Sequence, residues 1–286
     1  MADKPFFHRL VARFRKNKAF MSLLDATGSN IDHKKWVFVI GCYNSGTTLL
    51  EQVLSTHPAM SSLLEEGVML TDKLLRPEDF AWRRMWHACE EEMQVKEEEA
   101  AEVARRVKRH WSHFYDLKKP VLLEKSIANT TRIGFFNRYF KDVYFIHLVR
   151  NGYAVAEGIH RKAAIMAGNP MFGVEERYPL ELCAQQWARS LELVAETKAK
   201  ADNFYEITYE EFTAEPDVVL REITDFIGVA PFRNSFKDQV FSVHNVESSI
   251  QNMNERSLKK LREEEVSLIN RTALPYLEQY GYLIKA

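Results

Sequence analysis

From Trp36 to Ile40 the chain runs through five apolar residues without a polar break, the pattern of a strand buried on both faces. Gly41 and Gly46 bracket a short arch. From Thr47 the period changes, and Leu49, Leu50, Val53 and Leu54 fall on one side of a helix. The same alternation recurs downstream. A short strand is expected near Ser61–Leu64, and buried strands at Val121–Glu124 and Val143–Val149, each followed by a helix. A further strand is expected at Phe204–Ile207 and helices over Asp217–Ile227 and Leu261–Tyr280. Between Gly67 and Tyr115 the pattern reads as helical. Within it, Glu98, Glu102 and Arg106 stand at four-residue offsets, and Val103, Val107 and Trp111 share a face. Strands alternating with helices build a parallel sheet covered on both faces. The fold class expected is therefore α/β, a three-layer sandwich with a central parallel sheet and a helical insertion.

Two segments divide the chain, a basic amphipathic stretch over 1–35 and the α/β domain over 36–286. In the first, Phe6, Phe7, Leu10, Val11 and Phe14 recur at helical spacing among Lys4, His8, Arg9, Arg13, Arg15, Lys16 and Lys18. Such a helix suits either docking on its own domain with a solvated basic face, or peripheral contact with an anionic membrane. Charges interrupt every apolar stretch, unlike a signal peptide, and no run approaches the ~20 residues of a membrane span. The chain has 286 residues, 46% of them hydrophobic, and a formal net charge of −1. That core is ample, and no overall field draws nucleic acid, so any basic site must be local. Cys42, Cys89 and Cys183 are widely spaced with no metal-ligand pattern. No metal is expected, and a reduced, cytoplasmic compartment is the economical reading.

The chemistry concentrates at Gly41–Thr48. A strand, a Gly-bounded loop and a helix N-terminus make an anion cradle, because backbone N–H groups converge there and the helix dipole favours negative charge. The spacing G-x-x-x-x-G is that of a P-loop, but Thr47-Thr48 follows where a nucleoside triphosphate site has lysine. The phrase Ser45-Gly46-Thr47-Thr48-Leu49-Leu50, with His57-Pro58 after it, resembles the 5′-phosphosulfate loop of sulfotransferases that use 3′-phosphoadenosine 5′-phosphosulfate (PAPS). Further landmarks follow in order. Arg150 ends the strand Val143–Val149, Ile207-Thr-Tyr-Glu-Glu-Phe212 is similar to the family's Tyr-Glu-Asp-Leu segment, and Pro275–Tyr282 resembles its last helix.

The resemblance implies a nucleotide donor held by Asn44, Ser45, Gly46, Thr47 and Thr48, with Arg150 and the region of Gly158 at its 3′-phosphate and Tyr209 beside the adenine. It implies a hydroxyl or amine acceptor on a carbohydrate, lipid or small molecule, activated by Glu65, with Glu66 as the alternative. Lys125 would steady charge on the bridging oxygen. An anchor-free, bacterial-style cytoplasmic enzyme is the expectation. Two positions depart from the family. Arg or Lys often precedes Ser-Gly-Thr-Thr, where this chain has Asn44, and a serine often stands where it has Gly158. Arg161, one turn on, is a candidate to cover that bare patch. Loop residues Met166, Met171, Phe172 and Tyr178 could line the acceptor or simply pack. Two other readings remain open: a kinase-like phosphotransferase using Glu124, and a non-catalytic nucleotide-binding scaffold.

Overall fold

The computed structural model describes residues 6–284 except 175, 238, 244 and 245. Helices α1 (Phe6–Phe14) and α2 (Lys18–Thr27) precede strand β1 (Lys35–Gly41) and helix α3 (Thr47–Ser55). Strand β2 (Met60–Ser62) leads through a long insertion to helix α4 (Ala100–Trp111) and strand β3 (Val121–Glu124). Helix α5 (Ile133–Tyr139), strand β4 (Val143–Val149) and helices α6 (Gly152–Lys162) and α7 (Leu180–Thr197) follow. Strand β5 (Phe204–Thr208) runs directly into α8 (Tyr209–Ala214) and α9 (Pro216–Ile227). A hairpin of β6 (Val240–Val243) and β7 (Val246–Ser249) and helices α10 (Asn254–Leu258) and α11 (Glu263–Gln279) complete the described chain.

All neighbours in the main sheet are parallel, in the order β2-β3-β1-β4-β5. The strand order reverses direction at β1, so its carboxyl end opens the crevice where such sheets bind ligands. Two apolar layers flank the sheet. One side holds Trp36, Phe38, Trp111, Phe136, Phe140 and Phe145; the other holds Val37, Val39, Leu50, Ile146, Leu148 and Ile223. The alternation along β1 sends Trp36 and Phe38 one way and Val37 and Val39 the other, which is why its apolar run has no polar break.

The insertion departs from the expected run of helices. Gly67–Met69, Pro77–Phe80, Trp86–Cys89 and Glu97–Glu99 are single 3₁₀ turns, and only α4 is a regular helix. Strand β2 is also shorter than expected and ends before Leu63. Tertiary contacts hold this irregular chain. Fully buried Arg132 donates to the carbonyls of Leu75 (2.6 Å) and Met93 (2.8 Å) and to Asn129 Oδ1 (3.0 Å). Asn129 in turn donates to Glu124 Oε2 (3.0 Å), and Gly67 N–H donates to Glu124 Oε1 (3.0 Å). Glu124, Asn129 and Arg132 thus tie the end of β3 to both halves of the insertion. The N-terminal segment docks on it as well. Arg15 clasps Asp79 through two bonds of 2.9 and 3.0 Å, and His8 Nε2 donates to Leu63 O (2.9 Å). Val11 faces the core, while Phe6 stays 73% exposed on the outer side. No helix among the described residues is long and apolar enough to cross a membrane.

Burial pushes the Glu124 carboxyl up to about 7, although Ser126, Asn129 and the Gly67 amide each favour its charged form. The folded state therefore holds a proton that the unfolded chain releases at ordinary carboxylate pH. Stability from this group is present below about 4.5 and is lost as pH rises to about 7. Comparing urea-unfolding free energies of the parent and Glu124→Gln should show the parent's advantage falling by on the order of 3 kcal/mol between pH 5 and pH 8. A difference that does not change with pH would mean that Glu124 stays ionised throughout.

Candidate active site

The arch after β1 is shaped by backbone geometry that two glycines allow. Gly46 is left-handed (φ 95°), and a Cβ there would lie 2.6 Å from Tyr209 Cδ2. At Gly41 (φ 150°) a Cβ would meet the Leu148 carbonyl at 2.6 Å, so β1 and β4 approach closely just before the loop. Thr47 then opens α3, and N–H groups of a first helical turn have no intrahelical acceptor. Two buried polar atoms of this loop, Ser45 Oγ and Asn44 Nδ2, have no hydrogen-bond partner. Unpartnered donors at a helix N-terminus fit an anionic group.

Arg150 leaves the end of β4 and folds back over the loop. Its Nη1 donates to the Asn44 carbonyl (2.7 Å) and its Nε to Asn254 Oδ1 (2.8 Å), and the guanidinium lies 4.2 Å from the Tyr209 ring centre. Tyr209 is itself locked. Its hydroxyl donates to Gln251 O (2.8 Å) and accepts from Met253 N–H (3.2 Å), while Gly46 lies against the ring edge. Behind these stands Glu210, which accepts from Asn151 N–H (3.1 Å), Tyr282 hydroxyl (2.7 Å) and the Asn254 amide. Asn254 carries no motif, and Glu210, although it lies in the Tyr209-Glu210 segment, is not singled out from the sequence. Only the fold brings α10 over β4.

A second cluster gathers at the ends of β2 and β3. Lys125 Nζ donates to Glu66 Oε1 (2.9 Å) and lies 3.9 Å from Glu51 Oε2. Burial alone would lower the lysine, but Glu66 and Glu51 outweigh it and hold the ammonium charged well above its ordinary range. Burial raises Glu51, which Lys125 and the Ser62 hydroxyl partly offset, while Glu66 and Glu65 add to the rise. Glu65 thus belongs to the same charged group, and its carboxylate also accepts from Glu66 N–H (3.2 Å). A left-handed Leu64 (φ 60°) makes the turn that delivers both glutamates. The expected helix after Glu65 is a lone 3₁₀ turn starting at Gly67. Lys125 and Glu124 face opposite ways, as alternation along an extended chain requires. Glu124 is consumed by Gly67, Ser126 and Asn129, so the acidic strand end that a phosphotransferase would use is turned into the protein.

One expectation needs correction, and one open choice narrows. Arg161 does not cover Gly158, because its Nε bonds Glu157 Oε1 (2.7 Å) and it lines a crevice of about 230 Å³ with His160, Arg177 and Lys260. The space beside Gly158 is filled by the Asn44 side chain, whose Cγ would stand 3.1 Å from an added Cβ. In the loop near Ala167–Arg177, Phe172 packs on Trp82 and Tyr178 at 6.1 and 5.8 Å between ring centres. Tyr178 is fully buried, so packing accounts for both, and Met171 alone of the four stands well exposed at 69%. Sequence reading did not single out Arg84. This insertion residue donates from Nη1 to Asn44 Oδ1 (3.2 Å).

Among the described residues no group of His, Cys, Asp or Glu is arranged to hold a metal. Comparison with curated protein sequences returns no match. Several solved structures share the fold. The sulfotransferase domain from the curacin biosynthetic pathway is 20% identical with a TM-score of 0.52, covering 88% of this chain and 99% of that one. Sulfotransferase STF9 from Mycobacterium avium is 13% identical with a TM-score of 0.54, covering 95% and 81%. Mouse sulfotransferase SULT7A1, solved with PAP, is 13% identical with a TM-score of 0.50, covering 94% of each chain. At sequence level, a family profile matches residues 37–234. With the phosphate loop, the arginine-ended strand and the Lys125 cluster all inside that span, the chain belongs to the sulfotransferase family.

Proposed function

We propose that the protein transfers a sulfuryl group from PAPS to a hydroxyl or amine of a carbohydrate, lipid or small-molecule acceptor. The observation that carries this reading is Arg150, a cation at the end of a buried strand, bonded to the carbonyl of Asn44 in the phosphate loop. A planar guanidinium over a helix N-terminus suits a nucleotide with separated phosphate groups. PAPS supplies the sulfuryl group. The loop residues Asn44, Ser45, Gly46, Thr47 and Thr48 receive its 5′ end, Arg150 takes the 3′-phosphate beside Gly158, and Tyr209 fixes Arg150 at the edge of the adenine site. Glu65 accepts the acceptor's proton, and Lys125, held by Glu66 and Glu51, neutralises charge on the departing phosphate. Alignment and electrostatics of this kind are enough for a group transfer whose transition state is loose, by analogy with phosphoryl transfer.

Isothermal calorimetry with adenosine 3′,5′-bisphosphate tests the nucleotide half. Arg150→Ala should weaken binding by roughly 2–4 kcal/mol, with a much smaller effect on adenosine 5′-phosphate. Equal losses for both ligands would remove Arg150 from the 3′-phosphate site. Tight binding of magnesium–ATP with none of the bisphosphate would sink the reading altogether.

The chemical half is read from turnover with a pooled-acceptor sulfate-transfer assay. Glu65→Gln should keep bisphosphate binding and reduce turnover roughly 10²–10⁴-fold. Lys125→Ala should also slow transfer, because charge on the bridging oxygen grows only as the S–O bond breaks. A deeper loss in Glu66→Gln than in Glu65→Gln would exchange the roles of those two glutamates.

A further inference from the structure

Asn44 and Gly158, the two places where this chain departs from the family's loop, touch each other. An added Cβ at Gly158 would stand 3.1 Å from Asn44 Cγ and 3.2 Å from its Cβ, so the helix is bare there because the asparagine lies on it. Asn44 is left-handed (φ 62°), a conformation asparagine adopts more readily than most residues. Its amide oxygen accepts from Arg84 Nη1 at 3.2 Å, and its Nδ2 is buried without a partner. A side chain that cannot carry charge thus grips one that does.

Arg84 is held there by its own surroundings. It too is left-handed (φ 62°), between buried Trp82 and buried Met85 and Trp86. Trp82 stacks on buried Tyr178 at 5.9 Å between ring centres. Arginine seldom adopts this conformation, and it persists where packing over-determines it. Burial lowers the guanidinium, with Arg83 adding to that, while Tyr43, Glu66 and Glu78 favour its charge. Other cations converge from α6 and β4. Lys162 is pushed down to about 8 by burial of its ammonium and by Arg84, Arg161 and Arg150, with Glu157 opposing. Like charges that act on one another in this way are eased by an anion between them.

We propose that Arg84 is the cation of the phosphate loop, supplied from the insertion in place of a basic residue at position 44. It contacts phosphate or sulfuryl oxygens at the 5′ end of the donor, and Asn44 is the positioning residue that aims it. This rests on the donor reading above. In that arrangement the side chain at 44 and the bare surface at 158 form one device, and the insertion becomes part of the donor site.

Calorimetry with inorganic pyrophosphate and with adenosine 3′,5′-bisphosphate tests this. Arg84→Gln leaves a shorter polar side chain with an amide donor but removes the charge, and should weaken both ligands roughly 10- to 100-fold. Arg84→Lys should recover most of that loss. Asn44→Lys should strengthen binding in the Arg84→Gln background yet weaken it, or add nothing, in the parent. Should Arg84→Gln unfold, Gly158→Ala provides the second arm. Its methyl displaces the Asn44 amide and should weaken pyrophosphate binding while thermal melting stays near that of the parent.

Unchanged binding in folded Arg84→Gln, or in Gly158→Ala, overturns the assignment. So does an Asn44→Lys effect of the same sign in both backgrounds. If the parent binds pyrophosphate but not the bisphosphate, the donor reading fails while Arg84 is judged on pyrophosphate alone. A parent that binds neither removes both.

Discussion

The buried chain of contacts from Glu124 through Asn129 to Arg132 is what the site depends on. The long insertion between β2 and β3 contains single turns and little regular helix, so few backbone hydrogen bonds of its own hold it in shape. Arg132 receives two of its carbonyls, and Glu124 receives the amide of Gly67 next to Glu66. A guanidinium removed from water is costly unless its donors are satisfied. Here four acceptors meet it, from Leu75, Met93, Ala128 and Asn129. These bonds do for the insertion part of what a helix ladder does elsewhere, and the Lys125–Glu66 cluster beside Glu124 and Gly67 inherits its position from them.

How much of this can be read from the sequence varies with the kind of force involved. Strands β1 and β4 and the loop after β1 are legible, because continuous apolar runs and paired glycines are local signals of buried strands and a tight arch. Lys125 and Arg150 are legible as strand-end cations, and the family resemblance places the donor loop around Ser45–Thr48. The insertion is not. Its polar and apolar residues have helical spacing, yet tertiary contacts with Arg132 and, through Asp79, with Arg15 select isolated turns, as packing commonly overrides propensity. Arg84 has no motif at all, and its contact with Asn44 spans 40 residues of sequence. Asn44 and Gly158 read separately as two losses. Only their contact in space shows them as a matched pair.

Charge in the site is arranged by sharing. Lys125 stands between Glu66 and Glu51, and Arg150 stands between a backbone carbonyl, an asparagine and a tyrosine ring. In neither case does one carboxylate neutralise one cation outright. The lysine remains charged in a buried setting, and the arginine bonds Asn44 and Asn254, with the Glu210 carboxylate acting through Asn254. Fixed dipoles of this kind orient a cation without cancelling its field, which a site for an anionic ligand requires.

The wiring behind Arg150 also sets an order of events in biosynthesis. Glu210, which holds Asn254 and the start of α6, is itself held by the hydroxyl of Tyr282. A nascent chain emerging amino end first can assemble β1, its loop and β4 long before that tyrosine has been made. Until then the arginine has its strand but lacks its brace. The candidate site is therefore founded early in synthesis and braced only once the chain has grown as far as Tyr282.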